Sequence, residues 1–126
     1  MKEATIYYSK TPHPSHGSKY WEGRYSAMHH GKGKIITLKE NFFRTYWRKM
    51  PIKEMVNENK LDSSLETIFA KYNDYSTNPY SSENNGQRII KEKGVHHTSM
   101  SVEDVVKVGK TYYVVAGLGF KKLKLI

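Results

Sequence analysis

The C-terminal run DVVKVGKTYYVVAGLGFKKLKLI (residues 104–126) decides the fold of this chain. Its β-branched and aromatic residues predict three strands, and Gly109 with Lys110 predicts a tight turn between the first two. The last run, residues 120–126, mixes apolar residues with lysines, which is typical of an edge strand. The sequence therefore predicts an antiparallel three-strand meander, whose core candidates are Val105, Tyr113, Val115 and Leu118.

Upstream of the meander, the pattern predicts further strands at residues 3–8 and 35–38. Residues 41–49, NFFRTYWRK, have the aromatic and β-branched content of a strand, which Pro51 would end. Residues 12–34 predict a long loop. A loop of that length inside a compact domain is usually functional or disordered, and its aromatic residues argue against disorder.

Two helices are expected between these strands and the meander. Residues 62–73 carry an apolar stripe at helical spacing, with Asp62 as N-cap. The second helix covers about residues 82–93, and Gly94 takes the position after it where a left-handed residue is favoured. The predicted fold class is α+β, an antiparallel sheet with a C-terminal meander and two or three short helices packed on it, in one domain of residues 1–126.

Charge and composition limit the classes of partner that the protein can bind. The chain has 21 Lys and Arg against 12 Asp and Glu, a net charge of +9, which favours anionic partners. It has no cysteine, so disulfides and cysteine-bound metals cannot support the fold. No apolar run approaches the length of a membrane helix and no signal-peptide core is visible, so we expect a cytoplasmic protein without membrane contact. A small, tyrosine-rich core often accompanies an interface between subunits or a ligand pocket.

The stretch NPYSSENNGQRIIKEKGVHHTSMS, residues 78–101, is the predicted binding segment. Its aromatic ring can stack on a base, its amides can read base or ribose edges, and its arginine can pair with phosphate. Hydroxyl-bearing residues follow immediately. The alternative is a turn and helix whose polar groups satisfy their own backbone. The predicted ligand-binding residues of this stretch are Tyr80, Asn85, Gln87, Arg88, His97, Thr98, Ser99 and Ser101.

Two arginines outside that stretch complete the predicted binding set. Arg24 lies in the long loop, and Arg44 lies in a run that interleaves aromatic residues with arginines. Such interleaving stacks on bases and pairs with phosphates. The equal alternative is a set of core aromatics with solvated charges.

The histidine pairs raise the question of catalysis. A phosphodiesterase can use two histidines as acid and base, and His97-Thr98-Ser99 loosely matches such a motif, whereas His29-His30-Gly31 does not. Metal binding is less favoured, because no carboxylate stands near the loop histidines at ligand spacing. The favoured interpretation is surface or hydrogen-bonded histidines, no enzyme, no cofactor and no metal.

The run HTSMSVEDVV, residues 97–106, followed by YYVV and GF, resembles a motif of small phage and mobile-element proteins. Together with TPHPSHGSKYWEG and HHGKGKI nearer the N-terminus, the chain is similar to the phage anti-Thoeris sponge family. Proteins of that family bind the cyclic ADP-ribose-type signal of a bacterial immune enzyme and hold it without cleavage. The chain departs from the motif at Glu103, where glycine is common. The motif also occurs in uncharacterised proteins, so it indicates the fold more strongly than the ligand.

The resemblance implies a homo-oligomer that grips adenine by stacking and phosphate by basic side chains. The predicted function is an anti-defence protein that sequesters a cyclic nucleotide, either a cyclic ADP-ribose isomer or a cyclic oligonucleotide, in the infected bacterial host. The alternatives are a basic nucleic-acid-binding or anti-restriction protein, and a metal-independent hydrolase of cyclic nucleotides.

Overall fold

The computed structural model describes residues 1–10, 35–116 and 119–126, and they form a six-stranded sheet with three α-helices. Two short 3₁₀ turns, Glu58–Lys60 and Ser82–Asn84, lie between the larger elements. The elements in chain order are β1 (Lys2–Ser9), β2 (Ile35–Leu38), α1 (Glu40–Tyr46), β3 (Trp47–Val56), α2 (Leu61–Asn73), α3 (Gln87–Lys93), β4 (Val105–Val108), β5 (Thr111–Val115) and β6 (Phe120–Leu125).

The sheet has the strand order β2-β6-β5-β4-β1-β3. The α+β class and the C-terminal meander are confirmed, with the β4–β5 turn at Gly109, whose φ is 60°. The sheet is mixed, because β2 pairs in parallel with β6 while the other pairings are antiparallel. The prediction of β6 as an edge strand was wrong, since it lies between β2 and β5.

The prediction of a strand over residues 41–49 holds only for residues 47–49, which begin β3, because residues 41–46 belong to helix α1. Glu40 and Arg44 pair at i,i+4 on α1, with 2.8 Å between Oε1 and Nη2. The rings of Phe43 and Trp47 stack across the end of the helix at 5.3 Å. These local contacts outweigh the strand preference of the aromatic residues.

Pro51 lies inside β3 and does not end it. Opposite it, the β1–β3 register shifts: Thr5 faces Lys53, and two residues later Tyr7 faces Lys49. A bulge on an edge strand tolerates proline, which has no N–H to give to the ladder. This explains how a proline is accommodated in a ten-residue strand.

The sheet has two faces, which we name after the helices that contact them. The α2 face carries the larger core. Residues of β1, β3 and β4 pack there against α2 and against residues 78–101, which include α3 and which we call the connecting segment. The α1 face carries a smaller core around Phe43, Trp47, Val105 and Val114. None of the described helices is long and apolar enough to cross a membrane.

The connecting segment is less helical than predicted. The 3₁₀ turn at Ser82–Asn84 is separated from α3 by Asn85, which has a φ of 58°, and by Gly86. Gly94 ends α3 with a φ of 69°, as predicted. A Cβ on Gly86 would lie 2.1 Å from the Cα of Tyr80, so only glycine fits this approach of two backbones.

Candidate functional site

Tyr80 is not available to stack on a base, and that prediction was wrong. Its side chain is fully buried, and its ring meets the edge of Tyr8 at 5.7 Å. Its hydroxyl accepts a 3.1 Å hydrogen bond from the backbone N–H of Ile52 on the edge strand β3. Tyr80 therefore belongs to the core, and its polar tip satisfies a sheet edge.

Three other predicted residues of the connecting segment, Asn85, Gln87 and Arg88, are exposed. Arg88 pairs with Glu92 one helical turn away, with 3.4 Å between Nε and Oε1. None of the three cavities described below is lined by any of them, or by His97. Arg24 lies outside the described residues.

His97 forms the centre of a buried polar network with Asp104. Its Nε2 lies 2.8 Å from Oδ2 of Asp104, and its ring stacks on Tyr8 at 4.8 Å. The fully buried Asp104 also accepts the backbone N–H groups of Ser9 and Ser101, each at 2.8 Å. One carboxylate thus joins the end of β1 to the end of the connecting segment.

The neighbouring hydroxyl residues contribute mainly backbone atoms. The carbonyl of Thr98 accepts the Tyr8 hydroxyl at 2.8 Å and the Asn78 amide at 2.9 Å. The carbonyl of Ser99 accepts the Ser101 hydroxyl at 3.2 Å. This part of the motif holds the fold together, which matches the alternative in which the segment satisfies its own backbone.

The pKa values of both members of the His97–Asp104 pair are shifted. Burial by itself would lower the pKa of His97, but the hydrogen bond to Asp104 and the negative charges of Asp104 and Glu103 raise it above its ordinary value. Burial raises the pKa of Asp104, while its hydrogen bonds with His97, Ser9 and Ser101 act in the opposite direction. Both shifts favour a bound proton in the folded state.

Glu103 keeps a backbone shape that glycine adopts more easily. Its φ is 84°, and its backbone N–H donates to the Val115 carbonyl at 2.8 Å while its own carbonyl accepts the Trp47 indole N–H at 2.8 Å. Glu103 stands where glycine is common in the motif of residues 97–106, and its left-handed backbone is one that glycine adopts without steric cost.

A cavity of about 330 Å³ on the α1 face brings aromatic and basic side chains together. The rings of Tyr7, Phe43 and Tyr112 contact one another, with centroids 5.2 to 6.0 Å apart. Arg44, a predicted binding residue, lies at this cavity. Its described lining is Tyr7, Glu40, Phe43, Arg44, Trp47, Lys49, Tyr112 and Leu125.

Four of the strands, β1, β3, β5 and β6, supply residues to the cavity. Tyr7 on β1 is opposite Lys49 on β3 and opposite Val105 on β4, so the three share the α1 face. Tyr112 joins from β5, and burial together with the nearby Tyr112 hydroxyl raises the pKa of Tyr7. A phenol is neutral near neutral pH with or without this shift, and it can donate a hydrogen bond.

Sequence reasoning missed Tyr7, Lys49 and Tyr112. The signal was present as alternation: EATIYY places Thr5 and Tyr7 on one face, and TYYVV separates Tyr112 from Tyr113. The local pattern does not show which strands are neighbours in the sheet. β1 lies between β3 and β4 through pairings of residues that are distant in sequence.

Two further cavities are smaller and differ in chemistry. One of about 200 Å³ lies between the end of β3 and α2 and is lined largely by polar side chains that include Asn57, Ser63, Ser64 and Thr67. The other, of about 170 Å³, is lined mainly by apolar residues, among them Phe69, Val102 and Phe120. Among residues 1–10, 35–116 and 119–126, no three His, Asp or Glu side chains are grouped as a metal site.

Comparison with known proteins gives one relative and no family. Over 59 residues the chain is 48% identical to the uncharacterized protein R785 of Acanthamoeba polyphaga mimivirus. The match covers 47% of this chain and 52% of that protein, so it spans about half the length of each. No family model matches the sequence, and no solved structure matches it.

Proposed function

We propose that this protein binds a nucleotide in the cavity of the α1 face and holds it without cleaving it. The observation that carries the proposal is the lining of that cavity, where the half-buried rings of Tyr7 and Tyr112, backed by the buried Phe43 and Trp47, lie with the cationic Arg44 and Lys49. A nucleotide needs a ring surface for its base and positive charge for its phosphate, and both lie within one recess.

Two cations serve the phosphate. Lys49 is exposed at the rim of the cavity, and Arg44 has a side chain that is 73% exposed while it pairs with Glu40. A surface ion pair of this kind contributes little to stability, so the guanidinium can exchange its partner for a phosphate at small cost. Arginine matches a phosphate with two parallel N–H groups.

Binding without turnover is favoured by the position of the histidine that sequence reasoning offered for catalysis. His97 Nε2 is held by Asp104, and His97 does not line this cavity. A general base must reach the proton that it removes, within about 2.6–3.2 Å or through one water. The proposal therefore assigns His97 to the structure of the connecting segment.

The resemblance to sponge proteins supports a cyclic nucleotide immune signal as the ligand. On that basis the proposal includes an anti-defence role, the cytoplasm of an infected host as the location, and a homo-oligomeric state. Light scattering of the purified protein tests the oligomer independently of any ligand.

The test is calorimetric titration with AMP, cyclic ADP-ribose and cyclic di-AMP, followed by heating and mass spectrometry of the released ligand. We expect at least one nucleotide to bind and to be recovered intact. The double variant R44Q/K49Q should bind it at least about 10-fold more weakly, since hydrogen bonds to charged groups contribute about 1.5–3 kcal/mol each.

The matched control is R88Q/K91Q. It removes the same two charges from exposed positions on α3, where Arg88 also has an i,i+4 acidic partner. The control should bind like the wild type. Equal weakening in both double variants would mean that the effect comes from net charge alone. Absence of binding to all three nucleotides would refute the proposal. Recovery of hydrolysed ligand would show that the protein is an enzyme and not a sequestering protein.

A further inference from the structure

A row of side chains leads away from the cavity across the α1 face. The strand register places Lys53 on β3, Thr5 on β1, Lys107 on β4 and Tyr112 on β5 directly beside one another. At about 4.8 Å between neighbouring strands, the row extends about 14 Å from Lys53 to the aromatic cavity. We call this the lysine row.

Contacts within the lysine row agree with the register. The Lys53 amine donates to the Thr5 hydroxyl at 3.0 Å. The Lys107 amine lies 5.1 Å from the centre of the Tyr112 ring, within cation–π range. Both ammonium groups therefore lie on the α1 face, and one of them is beside a ring of the cavity.

The charge of this face is predominantly positive among the described residues. Lys49, Lys53 and Lys107 share it, while Glu3 is the acidic residue that the β1 alternation adds and Glu40 already pairs with Arg44. A mononucleotide in the cavity would use Arg44 and Lys49 and leave the lysine row without a phosphate.

We propose that the same site also binds single-stranded nucleic acid laid across the α1 face, with one base in the aromatic cavity and the following phosphates on the lysine row. The inference depends on the nucleotide site proposed above and extends it to an oligonucleotide. A sheet face that combines rings with cations is a known means of binding single strands, because unstacked bases offer their flat faces. Bases in a duplex are stacked on one another, so a duplex cannot place a base against these rings.

The test is fluorescence anisotropy with a labelled deoxythymidine decamer at about 50 to 200 mM salt. The variant K53Q/K107Q should bind the decamer about 10-fold more weakly than the wild type. Its slope of log affinity against log salt should be shallower by about 1.4, because each phosphate contact with a single strand contributes about 0.7. Its affinity for AMP should be unchanged.

The matched control is K122Q/K124Q, two exposed lysines of β6 that point away from the α1 face. Lys122 faces Tyr113, which packs on the α2 side, and Lys124 alternates with Leu123 and Leu125 of the α1 core. This control should keep the wild-type affinity and salt slope. Wild-type binding by K53Q/K107Q, equal loss in the control, or equal affinity for a decamer duplex would each overturn the inference.

The AMP measurement separates the two proposals. If AMP binds and the decamer binds no more tightly than AMP, the inference fails and the nucleotide site stands. If neither the decamer nor any of the three nucleotides binds, both fail. If the decamer binds and R44Q/K49Q leaves that binding unchanged, the strand does not use the cavity and the inference also fails.

Discussion

The connecting segment and the α1 face are both rich in polar and aromatic side chains. Those of the connecting segment bind partners inside the protein, whereas those of the α1 face line a cavity. In the connecting segment, Tyr80 and His97 point to partners inside the protein, a backbone N–H of β3 and the carboxylate of Asp104. On the α1 face, Lys49 and Arg44 extend from the rim of a cavity. A dense polar segment beside core strands can thus indicate internal satisfaction of hydrogen bonds as readily as a ligand site.

The two arginines Arg44 and Arg88 make the difference concrete. Each lies on a short helix, is largely exposed and pairs with a glutamate at i,i+4. Sequence reasoning treated them alike. Arg44 lines a cavity together with four aromatic residues, whereas Arg88 lines none of the three described cavities.

The largest expected effect tests whether the connecting segment is structural. In Gly86→Ala the new Cβ would lie 2.1 Å from the Tyr80 Cα and 2.3 Å from its carbonyl carbon, and backbone atoms cannot yield as a side-chain end can. We expect a loss of about 3 kcal/mol or more in the free energy of unfolding, measured by urea denaturation.

Gly119→Ala is the matched control for that variant. Gly119 also has a positive φ, 69°, but an added Cβ would meet no atom of the described residues within 4 Å. It should cost only about 1 kcal/mol, from the left-handed backbone alone. Equal costs at the two glycines would mean that the backbone approach at Tyr80 is not a constraint, and that the connecting segment is free to rearrange around a ligand.

The sequence predicted elements better than it predicted neighbours. The meander, the span of α2 and the Gly94 cap follow from local pattern and were found where expected, whereas Asp62 lies in the first turn of α2 and Lys60 holds the N-cap position predicted for it. The cavity was not predictable, because Tyr7, Lys49 and Tyr112 meet only through pairings of β1 with β3 and β4. Local pattern gives each strand its two faces but does not state which strands lie side by side.

Tyr80 and the 41–49 run failed for a related reason. Tyr80 was interpreted from its polar neighbours in sequence, while its environment is set by Tyr8, Tyr72 and Ile52, which are distant along the chain. The run at 41–49 was assigned from strand propensity, while the i,i+4 contacts of Glu40 with Arg44 and Phe43 with Trp47 favour a helix. Contacts between side chains decide both cases, tertiary ones for Tyr80 and local i,i+4 ones for the run at 41–49.

An intermediate effect is expected at Glu103, where the connecting segment enters the meander. Its φ of 84° strains any residue with a Cβ. Glu103→Gly and Glu103→Ala both remove the side-chain carboxylate, so their difference isolates the backbone. Glu103→Gly should be more stable than Glu103→Ala by about 1–2 kcal/mol in chemical denaturation.

If Glu103→Ala were as stable as Glu103→Gly or more stable, residue 103 would not occupy the left-handed region in solution. The N–H and carbonyl of Glu103 bond to Val115 and Trp47. Their geometry depends on that backbone shape. Such a result would therefore weaken the view that the motif of residues 97–106 serves the fold.

The smallest expected effect is the pH dependence of stability from the His97–Asp104 pair. The pKa of His97 is raised on folding, so its contribution is fully present below about pH 6.5 and is lost as the pH rises through the folded value. The raised pKa of Asp104 has the same sign, because here too the folded state holds the proton more tightly. The free energy of unfolding should therefore fall above about pH 6.5, by less than about 1.4 kcal/mol per pH unit for one proton.

His97→Gln should flatten this slope, and His96→Gln, which changes the exposed neighbouring histidine, should leave it unchanged. Urea denaturation between about pH 6 and pH 9 measures it, across the range where a histidine with a raised pKa titrates. If His97 were a ligand contact with a weak tie to Asp104, its replacement would change nucleotide affinity and leave the pH slope intact. That outcome would support a ligand site in the connecting segment. The hydrogen bond with the buried Asp104 would then not account for the presence of a histidine at position 97.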